Sequence, residues 1–430
     1  MFKEVKNVRY KAIKTKLYLK KDEQRFLQIL MRASKSLYNE ALYNVRQYFF
    51  ETGKFLTYEE NDKQLSKDSE HYRILSTSQG QSVIRKVDEA MKAFFGSLKS
   101  NVKQKVKCPR YLDKLGYYPL VDRMVYKPKS EYYVMPRGNF IKKVSKYIIE
   151  TTQKVSKYTL DLNEIKELHI KIETPTCISN KQIKEITIKP KYDGKYMEVI
   201  HVYIDDEVKA YSNQKTETMA IDFGYNNLAT CAVTNHQHLL LDGLRLKSMN
   251  QRYYKKISRL ASVRPNQKVL TKRMIRLIEK RNNQMIYGIN KAAKVILNHA
   301  LENHVGEIII GYNDSFKDSK ISKQMNQWFR SIPIARLRDR ILYLAKQYDI
   351  KTTIVNESYT SISSYIDQDA PKKSNFSGKR IKRGLYRSKV GIIINADLNA
   401  ALNILKKSKP NAKRIGSKGW NTPKRTFIFS

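Results

Sequence analysis

The chain of 430 residues has 83 Lys and Arg against 40 Asp and Glu, a formal net charge of +43, with 41% apolar residues. That much apolar surface excludes a disordered basic tail, and that much charge demands a polyanionic partner, nucleic acid before any other. A membrane protein is excluded by the lack of any apolar run of roughly 18 residues, and Cys108, Cys177 and Cys231 are too isolated for a disulfide framework or a thiolate zinc site.

The start, MFKEVKNVRYK, lacks a signal-peptide core, so a cytoplasmic protein of two or three domains is expected. VRYKAIKTKLYL alternates with period two and predicts a strand. Leu27, Leu30, Leu37, Ala41, Val45 and Phe49 fall at helical spacing, as do Val83, Val87, Met91, Phe94 and Leu98 after a polar stretch. These predict two amphipathic helices joined by a long loop, a helical lobe over residues 21–116. From Tyr117 the segments KELHIKI, EITIKPK and EVIHVYID predict a small β-barrel, residues 117–210, that takes in the N-terminal strand of residues 1–20. Residues 211–218 read as a polar linker. Tyrosine, 29 in all, is interleaved with Lys and Arg, a composition that serves stacking on bases as well as packing. Tyr43, Arg46, Gln47 and Tyr48 on neighbouring helical turns are candidate nucleic-acid contacts.

Residues 219–408 read as α/β. MAIDFG, LATCAVT and HLLLDG predict three strands, and a helical stretch over Asn250 to Asn303, interrupted near Pro265, follows. EIIIGYN is a fourth strand, residues 329–347 a helix, KTTIVNE a fifth strand and ADLNAALNILKK a last helix. Three strands, helix, strand, helix, strand, helix is the order of the RNase H fold. The predicted fold class is therefore multidomain α/β with a β-barrel and a helical lobe, and an RNase H-like core in the C-terminal half. The tail, residues 409–430, reads as disordered until RNA orders it.

Three acids stand where strands end or a helix begins: Asp222, Glu357 and Asp397. Two Mg²⁺ ions about 3.5 to 4 Å apart would need several such carboxylates, because Mg²⁺ is a hard ion that prefers oxygen ligands. Between Asp369 and Asp397 there are eight Lys and Arg and no acid, and from Leu398 to Ser430 another eight and none. The plainer readings are that Asp397 caps a helix and that Asp222 forms a turn with Phe-Gly. His236-Gln237-His238 reads as a turn rather than the HUH motif of a single-strand-nicking transposase, because Gln237 is polar where an apolar residue is expected. No GxxxxGK[ST] loop and no serine elbow occurs, which excludes a P-loop ATPase and an α/β-hydrolase.

MAIDFGYNNLAT, EIIIGYNDSF, NESYTS and GLYRSKVGIIINADLNAALNILKKSKP together resemble the RuvC nuclease domain of the TnpB (OrfB) proteins of insertion sequences, relatives of type V CRISPR effectors and of Fanzor proteins. The likeness is strong over Thr218 to Pro410 and weaker over the N-terminal half, where it suggests wedge and recognition domains. It implies a transposon-encoded, RNA-guided DNA endonuclease with a guide RNA, double-stranded target DNA beside a short flanking motif, and Mg²⁺ for which Mn²⁺ can substitute. A monomer, nucleoid-associated in a prokaryotic cytoplasm, is expected. Asp222 and Asp397 match the first and third catalytic acids. The second, usually a Glu after the fourth strand, is Gly311 here, and Glu357 would replace it, as in Fanzor-like proteins and a TnpB subgroup. The zinc ribbon of typical members is missing, and no zinc is expected. Residues 366–391 instead read as a basic lid whose Lys379, Arg380, Arg383 and Arg387 would hold phosphates. A nuclease-dead RNA-guided repressor and a transposase accessory protein that binds DNA remain open alternatives.

Overall fold

In the computed structural model the alternation of YKAIKTKL becomes β1 (Tyr10–Leu17), with one face turned inward. Residues 10–99, 107–123, 132–134, 139–145, 148–154, 167–192, 194–205, 211, 215–224, 226–264, 270–313, 332–371, 376–382, 384–410, 416, 420 and 423–429 are described, those at 132–154 and 167–169 by backbone alone. The chain divides into two compact units, Met1–Asp206 and Glu207–Ser430.

In the first unit α1 (Lys21–Thr52) buries Leu27, Leu30, Leu37, Ala41 and Val45 on one stripe, and Gly53 ends it in the left-handed region at φ 68°. The long loop expected next contains two further helices, α2 (Tyr58–Asp68) and α3 (Glu70–Ile74), before α4 (Thr77–Lys99). α2 buries only Asn61 and Leu65, too little for a periodic signal. Its start was nonetheless written in the capping box of Thr57 and Glu60. β1 does join the later strands, in an antiparallel sheet with β8 (Tyr196–Ile204), β7 (Ile183–Lys191) and β2 (Leu120–Arg123). β3 (Tyr132–Val134), β4 (Asn139–Ser145), β5 (Ile148–Lys154) and β6 (Glu167–Glu173) form a second four-stranded sheet. Among the described residues the strands pair as these two sheets, without the closing pairs of one barrel.

In the second unit β9 (Glu217–Asp222), β10 (Asn227–Val233) and β11 (Leu239–Asp242) form the expected meander. The helical stretch is α5 (Leu244–Ser262) and α6 (Lys272–Glu302); Pro265 lies outside the described residues. Then come β12 (Val305–Gly311), α7 (Ile334–Gln347) and β13 (Lys351–Val355). α7 starts only after Pro333, whose ring fixes the entry, rather than at residue 329. A small antiparallel sheet, β14 (Lys379–Lys382), β15 (Leu385–Arg387) and β16 (Ile393–Asn395), leads into α8 (Ala396–Ser408). The main sheet runs β13-β12-β9-β10-β11-β17, the fifth, fourth, first, second and third strands of the unit followed by β17 (Lys424–Phe427).

β17 corrects the expectation of a disordered tail. It pairs in parallel with β11, Arg425 forms an ion pair with buried Asp242, and Trp420 is buried. The basic composition of the tail hid a short strand that needs only one side paired. β9, β12 and β13 are mutually parallel, so their C-terminal ends lie on one edge. On one face of the sheet α6 and α7 bury Ile289, Ile296, Leu337 and Ile341; on the other α8 buries Leu398, Ala401, Leu402 and Ile404. Among the described residues no helix is long and apolar enough to cross a membrane.

Candidate active site

Asp222 is the last residue of β9, Glu357 stands two residues beyond β13, and Asp397 is the second residue of α8. The topology therefore places all three at the same edge. The capping reading of Asp397 fails, because the cap is Asn395, whose side chain accepts from the amides of Asp397 (3.0 Å) and Leu398 (3.1 Å). The Asp397 carboxylate is left to accept from Asn227 Nδ2 (2.7 Å) and from Arg380 (3.4 Å). Asp222 makes no side-chain hydrogen bond with a described residue, although it is half-buried. Burial, then the charges of Glu357 and Asp397, hold its carboxyl well above the usual range, with Arg380 pulling the other way. Burial alone pushes Glu357 up to about 7.

Gly311, at the end of β12, lies against α8 and Glu357. A Cβ added to Gly311 would run into the Ile404 side chain and stand 3.4 Å from Glu357 Cβ. The place where an acid after β12 would begin is filled by α8 on one side and by Glu357 on the other. A glutamate at 311 would need the Ile404 side chain to move.

The loop that presents Glu357 is held from α8. Thr360 closes a turn on the Glu357 carbonyl through its amide (3.2 Å) and Oγ1 (2.7 Å). Asn403 Nδ2 donates to the Thr360 (3.0 Å) and Ser363 (2.7 Å) carbonyls; Asn399 donates to Ser363 (2.8 Å) and accepts from Tyr365 N–H (3.0 Å). Both asparagines are fully buried and sit four apart, one turn of helix. They were missed in the sequence, although two buried-face asparagines in an otherwise apolar helix, NADLNAALNI, are the signal that finds them.

The described residues of the segment read as a lid include a small meander. Tyr386 is buried and donates to the Ile362 carbonyl (2.8 Å). Asp367 accepts from Lys389 N–H (2.7 Å), and Asp369 from the amides of Ser364 (2.8 Å) and Ser377 (3.0 Å). Lys379, Arg380 and Arg387 are exposed on it, Lys379 facing Arg387 across the strand pair; Arg383 lies outside the described residues. In the first unit Tyr43 is 54% exposed, and the Arg46 guanidinium lies 5.1 Å from the Tyr111 ring centre and 5.9 Å from that of Phe50. Gln47 is half-buried, whereas Tyr48 packs against the helical core, so the four do not form one outward group. His236 occupies the turn between β10 and β11 at φ 67°, and His238 is buried behind it.

Among the described residues no three His, Cys, Asp or Glu side chains lie close enough together to hold a metal ion, the three acids of this edge included. The edge nevertheless suits a divalent cation chemically: its donors are all oxygen, and a half-buried carboxylate beside two others has only Arg380 to offset it.

What fold and site define is an α/β chain with an acid-bearing sheet edge under a terminal helix. Comparison with known proteins sharpens this. A model of the OrfB_IS605 family, described as "Probable transposase", matches residues 201–316, and one of the Cas12f1-like TNB domain matches residues 335–404. The chain is 25% identical over 417 residues to the TnpB-like protein ORF457 of Acidianus two-tailed virus, covering 90% of this chain and 84% of that protein. It shares its fold with Cas12f1 in a complex with sgRNA and target DNA (TM-score 0.60, 14% identity, 92% of this chain and 84% of the other). The mini-RNA-guided endonuclease CRISPR-Cas_phi3 is similar at TM-score 0.50 and 10% identity, covering 95% and 94%. The chain is thus TnpB-like in sequence over most of its length and Cas12-like in fold.

Proposed function

We propose that the protein is an RNA-guided DNA endonuclease in which Asp222, Glu357 and Asp397 hold Mg²⁺ at one RuvC site. The observation that supports this reading most is the accumulation of half-buried negative charge at Asp222 while Glu357 fills the space over Gly311. Buried charge without compensation costs stability and is retained where it serves a site. When bound, the metal supplies a polarised phosphate and a water of lowered pKa. The chain's own part is to fix the acids: Asn227 holds Asp397, and Asn399 and Asn403 hold the loop of Glu357. Lys379, Arg380 and Arg387 on the meander serve as phosphate contacts, and Tyr43 and Arg46 as contacts in the N-terminal unit. Residues 366–391 act as a target-strand support in place of a zinc ribbon, and residues 1–20 with 117–210 as a wedge domain. Relatives complexed with sgRNA and target DNA support guide RNA and DNA as partners.

The test is to purify the protein with co-expressed RNA and offer a plasmid bearing the matching target. Wild type should cut in Mg²⁺ or Mn²⁺ and Glu357→Ala should not. Equal cutting by both removes Glu357 from the site. Bound, uncut DNA with wild type selects the repressor reading, and RNase-resistant activity selects the accessory protein.

A further inference from the structure

β17 carries the tail to the edge that bears the three acids. β9 and β11 each run antiparallel to β10, and β17 runs parallel to β11, so the C-terminal ends of β9, β11 and β17 share that edge. Phe427 at the end of β17 pairs with Asp242, and Asp242 pairs with Asn227, the residue that holds Asp397. With neighbouring strands about 4.8 Å apart, Phe427 stands about 10 Å from Asn227 along the edge.

Asp242, Arg245, Phe427, Ile428 and Phe429 line a pocket of about 340 Å³ there. That volume lies within the roughly 300 to 1,000 Å³ of sites that hold small ligands. Its aromatic residues are placed differently. Phe429 is half-buried: a Cβ added to Gly288 would stand 3.0 Å from its ring, and the Tyr287 ring centre lies 6.1 Å away. The Arg245 guanidinium sits 4.9 Å from the Phe429 ring centre and donates to the Phe429 carbonyl (2.8 Å), which fixes its plane. Phe427 instead is 54% exposed, with the Arg425 guanidinium 5.5 Å from its ring centre. Asp242 is buried, ion-paired with Arg425, and accepts from Leu244 N–H (2.8 Å). An exposed ring beside a fixed guanidinium is the chemistry that stacks an unpaired base. The carboxylate on the wall offers acceptors alone and repels a phosphate, so the group that enters is the uncharged base. Bases within a duplex are already stacked on one another and stay out.

We propose that this pocket is a stacking subsite for one unpaired base of the DNA strand whose phosphate lies at the acid edge. About 10 Å is the rise of about three stacked nucleotides at 3.4 Å each, so the base is a near neighbour of that phosphate. The identity of the strand as the one being cut rests on the nuclease reading; the stacking of a base does not. The test uses the full-length chain in EDTA, so that it is independent of cleavage. Single-stranded DNA carrying 5-iododeoxyuridine is irradiated on the protein, cross-links are mapped by mass spectrometry, and affinity is measured against salt. Cross-links should fall on the tryptic peptide of residues 426–430. Phe427→Leu should abolish them and weaken single-strand binding about 5- to 150-fold, the effect of losing one base–aromatic stack, with the salt slope unchanged because no phosphate contact is lost. Phe427→Trp should keep both, which separates stacking from folding. Cross-links confined to other peptides, or an affinity that Phe427→Leu leaves unchanged, overturn the subsite. Equal cross-linking of duplex DNA overturns the unpaired base, and a dimer that dissociates on Phe427→Leu gives the pocket to a second copy of the chain instead. Cross-links at the pocket in a protein that never cuts would leave the subsite standing and remove the nuclease.

Discussion

Asp222 in the second unit is half-buried and Asp122 in the first almost wholly buried, and burial raises both carboxyls. Asp122 on β2 is 5% exposed, accepts one hydrogen bond from Gln79 (3.1 Å), leaves its other oxygen unpaired and is pushed up to about 6. No second acid acts on it. Asp222 has Glu357 and Asp397 beside it and, among the described residues, the Arg380 guanidinium as its only offset. Burial alone thus marks a structural liability, whereas several acids drawn together at the converging ends of parallel strands are what the proposed site requires. The two can be separated by experiment.

The largest effect is expected at the acid edge. Asp222→Asn should reduce cleavage on the order of 10³-fold or more while raising the melting temperature, since it removes like-charge repulsion. Mg²⁺ should raise the melting temperature of wild type and not of Asp222→Asn, by linkage of binding to folding. Thermal melts with and without metal check this; a variant as metal-responsive as wild type would place the ion elsewhere.

Asn403 tests how far the edge depends on its support. Asn403→Leu leaves the Thr360 carbonyl without its side-chain donor and the Ser363 carbonyl with Asn399 alone, at a cost of about 1 to 3 kcal/mol in denaturant unfolding. Cleavage should fall at saturating target with little change in target affinity, because the loop of Glu357 loosens while the nucleic-acid surface is untouched.

Much of this edge was legible in the sequence, and the reason is local. Each acid ends a strand or opens a helix, and ADLNAALNILKK keeps its period, so position along the chain implies position on the sheet. The lack of an acid after β12 was legible too, as Gly311 in EIIIGYN. What was not legible depends on contacts far apart in sequence. The meander of residues 379–395 is tied by Asp367, Asp369 and Tyr386 to backbone groups up to 24 residues away. β17 exists because β11, far earlier in the chain, offers an unpaired edge. α2 was missed because it lacks an apolar stripe.

Asp122 should show the opposite separation. Its folded-state carboxyl lies above its unfolded value, so the native state holds the extra proton, and stability is lost as pH rises from about 4 through about 6. Asp122→Asn should flatten that part of the profile and gain on the order of 2 kcal/mol at pH 7, with cleavage unchanged. Urea melts between pH 4 and 8 measure it. A variant that lost activity as well would make the first unit's buried acid functional and erase the contrast with Asp222.

The smallest effect belongs to Thr57, at the start of α2. Its Oγ1 accepts from Glu60 N–H (3.3 Å) while the Glu60 carboxylate accepts from Thr57 N–H (3.0 Å) and Oγ1 (2.8 Å). The box is exposed and holds no buried charge, so Thr57→Ala should cost about 1 kcal/mol of unfolding free energy. Those same bonds hold Glu60 below the usual carboxylate range. The stability it adds is therefore present at neutral pH and lost as pH falls through the lowered value, opposite in sign to Asp122. The difference between wild type and Thr57→Ala should accordingly shrink in acid, whereas that between wild type and Asp122→Asn should vanish there for the opposite reason, protonation of Asp122 itself. A Thr57→Ala deficit that grew in acid would mean that Glu60 finds another partner once the box is broken.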